Sequence, residues 1–303
     1  MWAVIDIGSN TIRLVIYALE SGQPRPMLNK KYAAGLAGYV DGSNRISPEG
    51  IEVLLEALTD IEGILRYIRP QRVLPFGTAS LRNSANGTEI VDRIREVCGW
   101  DVRILTGEEE AVFDYYGARR SGIGDSGLLV DVGGGSTELT FFQNRQVAAA
   151  TSIPLGSLNL YKKWVDGLLP THKEAQRIKK EVNRYLREIP LPAEGLTAQP
   201  IVGVGGTARA LLKLMKQQGV LGESAAYTRR QLKNLFAELG TDPQKLVYSI
   251  LRACPDRVHT LLPGTLVFLS VSKYFGADRF LTSPYGVREG YLLHCLAEEG
   301  QDV

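Results

Sequence analysis

Two segments of this chain place an acid at the end of an apolar run and follow it with a glycine turn: Asp6-Ile-Gly-Ser-Asn10 and Asp131-Val-Gly-Gly-Gly-Ser-Thr-Glu138. A carboxylate leaving a buried strand can hold a hydrated magnesium ion, while N–H groups of a turn of small residues meet phosphate oxygens. Asp6 and Asp131 are therefore metal-binding candidates, and Gly8, Ser9, Asn10, Gly133, Gly134, Gly135 and Ser136 are phosphate-binding candidates. The first turn taken alone is equally consistent with a hairpin carrying a capping aspartate. The second is more specific, because three consecutive glycines strip side chains from the turn at an entropic cost that an ordinary hairpin seldom bears. Glu138 lies on the return strand, where it comes back toward the same turn and joins Asp131 as a metal candidate.

Three further segments carry chemistry. Val202-Gly-Val-Gly-Gly-Thr207 ends a buried run and opens a helical one, so Gly205, Gly206 and Thr207 form an anion site at a helix amino terminus. Thr106-Gly-Glu-Glu-Glu-Ala111 puts three acids in a first helical turn, where the helix dipole favours them for structural reasons alone. One of them could act as the general base of a hydrolysis, and composition leaves Glu108, Glu109 and Glu110 equally open. In Phe76-Gly-Thr-Ala-Ser-Leu-Arg82 the guanidinium of Arg82 suits phosphate oxygens, and a loop-capping arginine fits the same residues.

The elements that must position these residues recur in order. Apolar runs at Trp2 to Ile7 and Thr11 to Leu19 flank the first turn as a hairpin, and a third strand is expected near Pro26 to Tyr32. Helical spacing runs from Ile51 to Ile68 behind Pro48, followed by a strand at Arg72 to Phe76, a helix near Thr88 to Cys98, a strand at Val102 to Leu105 and a helix from Glu108. The series restarts at Gly127, with strands at 128–132, 137–142 and 146–153, helices at 157–165 and 173–187, a strand at 201–204 and a helix at 207–216. Helices near 230–238, 244–253 and 266–274, a strand at 279–282 and a last helix at 287–297 complete it. Val4 to Leu14 aligns without gaps on Leu129 to Leu139, matching Asp6 with Asp131 and Gly8 with Gly133. Such a repeat implies an α/β chain of two related lobes, 1–124 and 125–303, with a central cleft; the last helix could pack on the first lobe.

Composition narrows the class. The chain has 303 residues with 44% hydrophobic and 22% charged, which is ordinary for a soluble enzyme. A net charge of +2 is far from that of a dedicated nucleic-acid binder, so no DNA partner is expected. The longest apolar stretch, near Leu261 to Leu269, holds Pro263 and Gly264 and is too short to span a bilayer, so no membrane partner is expected either. Cys98, Cys254 and Cys295 are scattered and odd in number, which implies a reducing compartment. The amino terminus carries no basic leader, so a cytoplasmic location is expected.

These five blocks, in this order, resemble the exopolyphosphatase and guanosine pentaphosphate phosphohydrolase (Ppx/GppA) family of the actin, sugar kinase and Hsp70 superfamily. The match runs from Asp6 through Ser283-Pro-Tyr-Gly-Val-Arg-Glu-Gly290, almost the whole chain. The resemblance implies ribonuclease-H-like lobes, magnesium (manganese as the alternative), a homodimer, and removal of terminal phosphate from polyphosphate or guanosine pentaphosphate (pppGpp). In the family's Ser-Gly-x-Glu-Glu-Ala block the catalytic glutamate precedes the alanine, which selects Glu110; Thr106 here replaces the serine. The Gly-Thr-x-x-Leu-Arg block maps its arginine on Arg82 and adds Thr78 to the phosphate-binding candidates. The second-lobe aspartate and glutamate map on Asp131 and Glu138. Longer members add a helical domain with a His-Asp signature; the histidines here, His172, His259 and His294, make no such pair, so a short form without that second centre is expected.

The expected reaction is in-line hydrolysis, with metal held by Asp6, Asp131 and Glu138. Glu110 positions water, and Arg82 with the glycine turns and Glu138 completes the catalytic set. The favoured substrate is polyphosphate, and the first alternative is pppGpp. A small-molecule kinase of the same superfamily is the second alternative, since such turns serve ATP as well. A non-enzymatic actin-like filament or nucleotide-gated scaffold is the third.

Overall fold

The computed structural model describes residues 1–20, 23–189 and 199–300. Two compact units emerge, the first comprising Met1–Glu110 and Tyr291–Val303 and the second Ala111–Gly290.

In the first unit, β1 (Trp2–Ile7), β2 (Ile12–Glu20) and β3 (Gln23–Tyr32) form an antiparallel meander. Helix α1 (Pro48–Ile68) leads to β4 (Arg72–Gly77), which runs parallel to β1. Short α2 (Ala79–Arg82) and α3 (Gly87–Cys98) precede β5 (Arg103–Ile104), parallel to β4, and α4 (Gly107–Arg119) follows. The sheet order is β3-β2-β1-β4-β5. Strand β3 begins before the sequence-based expectation and includes Pro24 and Pro26. Its position at the sheet edge explains this, because an edge strand tolerates residues that cannot donate to a ladder.

The second unit repeats the plan. Strands β6 (Gly127–Val132), β7 (Thr137–Gln143) and β8 (Gln146–Ile153) form the meander, followed by α5 (Ser157–Trp164), α6 (His172–Glu188), β9 (Ile201–Val204) and α7 (Gly205–Gln217). Then come β10 (Ala226–Thr228), α8 (Arg229–Leu239), α9 (Pro243–Ala253), α10 (Leu261–Tyr274), β11 (Arg279–Thr282) and α11 (Val287–Glu298). The order β10-β11-β9-β6-β7-β8, with β9 parallel to β6, reproduces the first sheet with one added edge strand. The correspondence extends to irregularities: the register shifts at Ile16/Tyr17 against β3 and at Phe141/Phe142 against β8 occupy equivalent positions of the internal alignment.

Apolar patterning accounts for the packing. Ala3, Ile5 and Ile7 of β1 join Leu54, Leu58 and Ile61 of α1 in one core. Leu128, Val130 and Val132 of β6 pack with Ile178, Leu211 and Phe268 from the helices on one face of the second sheet. Leu129 turns to the opposite face, with Tyr115 of α4. With both faces covered, β6 is apolar throughout apart from its acid, as expected for a strand buried on both sides. Helix α10 starts earlier than its periodicity suggests, taking in Pro263 and Gly264. Proline is admissible in a first turn, where its missing N–H would have no intrahelical partner.

Candidate active site

In the first unit the acidic turn is held from several sides. Gly8 N–H donates to Thr11 O at 3.1 Å, Ala37 N–H to Ser9 O at 2.9 Å, and Gly35 N–H to Asn10 O at 3.0 Å. Because β1 and β4 run parallel with Ile7 beside Gly77, the chain leaving β4 reaches the same turn, and Thr78 N–H donates to Ile7 O at 3.2 Å. A Cβ built on Gly8 would lie 3.7 Å from Asp6 Oδ1 and 4.0 Å from Thr78 Oγ1, so carboxylate and hydroxyl share one small space. Asp6 stands opposite Arg13 in the β1–β2 register.

Arg82 ends the short α2 and is fixed by two acceptors. Its Nη1 donates to Leu105 O at 2.9 Å and to Glu110 Oε2 at 2.9 Å. The three adjacent glutamates of α4 have different environments. Glu109 caps the helix: its Oε2 accepts from Thr106 N–H at 2.8 Å, its own N–H donates to Thr106 Oγ1 at 3.1 Å, and its Oε1 pairs with Arg103 at 2.7 Å. That reciprocal box needs a hydroxyl at position 106, which threonine supplies as well as serine does. Glu108 is exposed, whereas Glu110 is buried against Arg82, with side-chain exposures of 10% and 18%.

In the second unit the glycine turn is oriented by the helix that follows the meander. Ser157 N–H and Oγ donate to Gly133 O at 2.8 and 2.9 Å, Leu158 and Asn159 N–H to Gly134 O at 3.0 and 3.2 Å, and Asn159 Nδ2 to Gly135 O at 3.0 Å. All three glycine carbonyls thus point at the start of α5. In a trans peptide the N–H points opposite to the C=O, so the N–H groups of Gly134, Gly135 and Ser136 face away from α5 as a row of donors. Beside this row, Asp131 and Glu138 are cross-strand partners in the β6–β7 register, and Ser152 Oγ donates to Glu138 Oε1 at 2.8 Å. Both acids are buried, and adjacent like charges on one pleat are unfavourable without a cation.

The β9–α7 turn lies against Asp131. Gly205 has φ +71°, and a Cβ there would lie 2.0 Å from Asp131 Oδ1. Thr207 Oγ1 donates to Val132 O at 2.7 Å, tying α7 to β6, so a phosphate at this helix terminus would be met by backbone N–H groups. One residue here has no sequence motif: Arg257, in the short helical turn after α9, lies so near Gly206 that a Cβ there would be 1.9 Å from its Nη2. Burial lowers the Arg257 pKa from its ordinary value, opposed by the charges of Asp256 and Asp131.

Burial, reinforced by the positive charge of Arg257, also holds His259 below its ordinary 6.5. As pH falls, the unfolded chain therefore takes up this proton first, and the stability contribution present above 6.5 is lost as pH drops through the lowered folded value. Thermal melts between pH 7 and 5 are expected to show this loss, and His259→Gln to reduce its slope.

Two related α/β units, each with an acidic glycine turn at the end of its central strand, define a phosphate-handling protein of the actin-like class. The chain belongs to the Ppx/GppA phosphatase family, whose pattern matches residues 15–299, and it is a hydrolase of phosphoanhydride bonds. It is 25% identical to exopolyphosphatase 1 of Mycobacterium tuberculosis, over 98% of this chain and 88% of that protein. It is also 25% identical to the guanosine-5'-triphosphate,3'-diphosphate pyrophosphatase of Vibrio vulnificus, of which it spans 60%. The crystal structure of the Aquifex aeolicus family member superposes with a TM-score of 0.80, at 26% identity and 99% coverage of both chains.

Proposed function

We propose that this chain is an exopolyphosphatase that removes terminal phosphate from inorganic polyphosphate. The observation that carries hydrolysis, rather than phosphate binding alone, is Glu110. It is the one of three adjacent glutamates that is buried against an arginine and not engaged in capping α4. Glu110 would orient the attacking water and accept its proton, and Arg82 would fix that carboxylate and share the charge developing on the transferred phosphoryl group. Backbone N–H groups of Gly134, Gly135, Ser136, Gly206 and Thr207, with the Arg257 guanidinium, would hold phosphate oxygens in the second unit. Gly8, Ser9, Asn10 and Thr78 would do so in the first.

Asp131 and Glu138 fit a hard divalent cation: they are adjacent, buried carboxyl groups that would carry two negative charges once ionised against it. Among the described residues no three His, Cys, Asp or Glu side chains gather as a metal-binding group, so the cation would keep several waters, as magnesium does. Bound there, magnesium or manganese would neutralise phosphate charge. Asp6, set opposite Arg13, is the corresponding metal candidate of the first unit.

The enzyme would work in the cytoplasm, which the scattered cysteines support, and as a homodimer, in keeping with the family resemblance. No helix among the described residues is long and apolar enough to cross a membrane. A second reading, hydrolysis of pppGpp, is favoured by the Vibrio relative, which matches the whole chain. The deciding experiment is phosphate release from long polyphosphate, pppGpp and ATP. Polyphosphate turnover is expected, with loss on chelation and recovery on adding magnesium; turnover of ATP alone would overturn the reading.

A further inference from the structure

Helix α6 carries an unusual surface. Lys173, Arg177, Lys180, Arg184 and Arg187 recur at alternating spacings of four and three residues, and all are exposed. At 3.6 residues per turn this spacing keeps them within an arc of roughly 80° on one face, along about 21 Å of helix. The acids of α6 answer them little: Glu174 is buried in the capping box and feels only the charge of Arg177, Glu181 is buried, and Glu188 ends the helix. Among the described residues, no carboxylate forms an ion pair with any of the five. Like-charged neighbours at such spacing destabilise a helix, and a solvated face would ordinarily interleave acids to avoid it.

The stripe is joined to the phosphate turn through α5. The first residues of α5 bond the carbonyls of Gly133, Gly134 and Gly135. At its other end, Lys163 Nζ pairs with Glu181 Oε1 at 2.6 Å, and Trp164 Nε1 donates to the same carboxylate. Trp164 also receives the Lys163 ammonium at 5.2 Å and the Arg177 guanidinium at 5.8 Å from its ring centroid. The carboxylate of Glu181 is thus turned inward to fix α5 on α6, while the cations stay outside.

We propose that this stripe binds the distal phosphates of a long inorganic polyphosphate whose end is held at the turn. It thereby sets the preference for long chains. The inference rests on the exopolyphosphatase reading, and it selects a flexible linear polyanion because the cations form a line on the helix joined to α5.

The test uses the full chain and the triple variant Arg177→Gln, Lys180→Gln, Arg184→Gln. Glutamine is a good helix former and relieves the like-charge repulsion, so the variant's melting temperature should equal or exceed the wild type's. Binding of long polyphosphate, titrated at several salt concentrations, should weaken about tenfold or more, and the salt slope should fall by about three, one for each phosphate that a removed cation no longer neutralises. The ratio of kcat/KM for long polyphosphate to that for tripolyphosphate should drop about tenfold, through KM. Unchanged binding and an unchanged ratio would overturn the track, as would equally tight binding of single-stranded RNA of the same charge. If the wild type released phosphate from none of these substrates, the catalytic reading would have failed, and the binding titration would still decide the stripe.

Discussion

Glu110→Gln is expected to lower the rate of phosphate release by about 10²- to 10⁴-fold, the usual contribution of a positioned general base, while the protein stays folded. Glutamine keeps the length of the side chain and an oxygen that can still accept from Arg82 Nη1, now 2.9 Å from the carboxylate. It cannot take a proton from water. Because Arg82 keeps its second acceptor, Leu105 O at 2.9 Å, the loss of stability should be modest, about 1–2 kcal/mol. Glu109→Gln is the informative contrast. That change leaves the Thr106 capping box an acceptor oxygen but removes the charge that pairs with Arg103, so at most about 1 kcal/mol of stability should go while turnover changes little. Steady-state phosphate release and thermal melts on both variants separate the roles. Full activity in Glu110→Gln, or the larger activity loss in Glu109→Gln, would remove Glu110 from the catalytic set.

The internal repeat shows how one device acquired two electrostatic characters. Equivalent registers place Arg13 opposite Asp6 in the first unit and Glu138 opposite Asp131 in the second. The first acid thus has a built-in cationic neighbour, whereas the second pair places two carboxyl groups beside a row of amides turned away from α5. A multivalent cation reconciles carboxylates with phosphate at such a place, so the second unit is where metal dependence should reside.

The order of elements along the chain, the hairpin turns and the doubled plan were legible in the sequence because they rest on local signals: apolar runs, glycine turns and a gapless repeat. The acid-glycine motifs stood out for the same reason. Selecting among Glu108, Glu109 and Glu110 was not possible from residue types alone. Consecutive helical positions point about 100° apart, and only tertiary context decides which one is capped, exposed or buried. Arg257 was invisible for a different reason. It sits in an isolated turn between α9 and α10, and its nearness to Gly206 arises from the packing of elements distant in sequence. Strand β10 and helix α2 were missed because elements of three and four residues carry almost no periodicity.

Gly205→Ala should reduce turnover at least about 100-fold, the scale expected when a reacting group is displaced by an ångström or so. Two penalties combine at this position. The left-handed φ of +71° costs an alanine roughly 1–2 kcal/mol, and the new methyl would lie 2.0 Å from Asp131 Oδ1 and 2.5 Å from its Oδ2. The carboxylate cannot stay where it is, because the helix start and the β6–β9 ladder are both backbone-fixed while Asp131 is a side chain. Gly219→Ala supplies the control. Its φ is +70°, yet a Cβ there meets nothing within 4 Å, so it carries the backbone strain without the collision. Gly219→Ala should melt about 2–8 °C lower, at 2–4 °C per kcal/mol of backbone strain, and Gly205→Ala lower by at least as much. Only Gly205→Ala should lose phosphate release and require more magnesium for what activity remains. Equal activity losses in the two variants would mean that strain alone is responsible. A fully active Gly205→Ala with an unaltered magnesium requirement would show that the position of the Asp131 carboxylate is immaterial to the reaction.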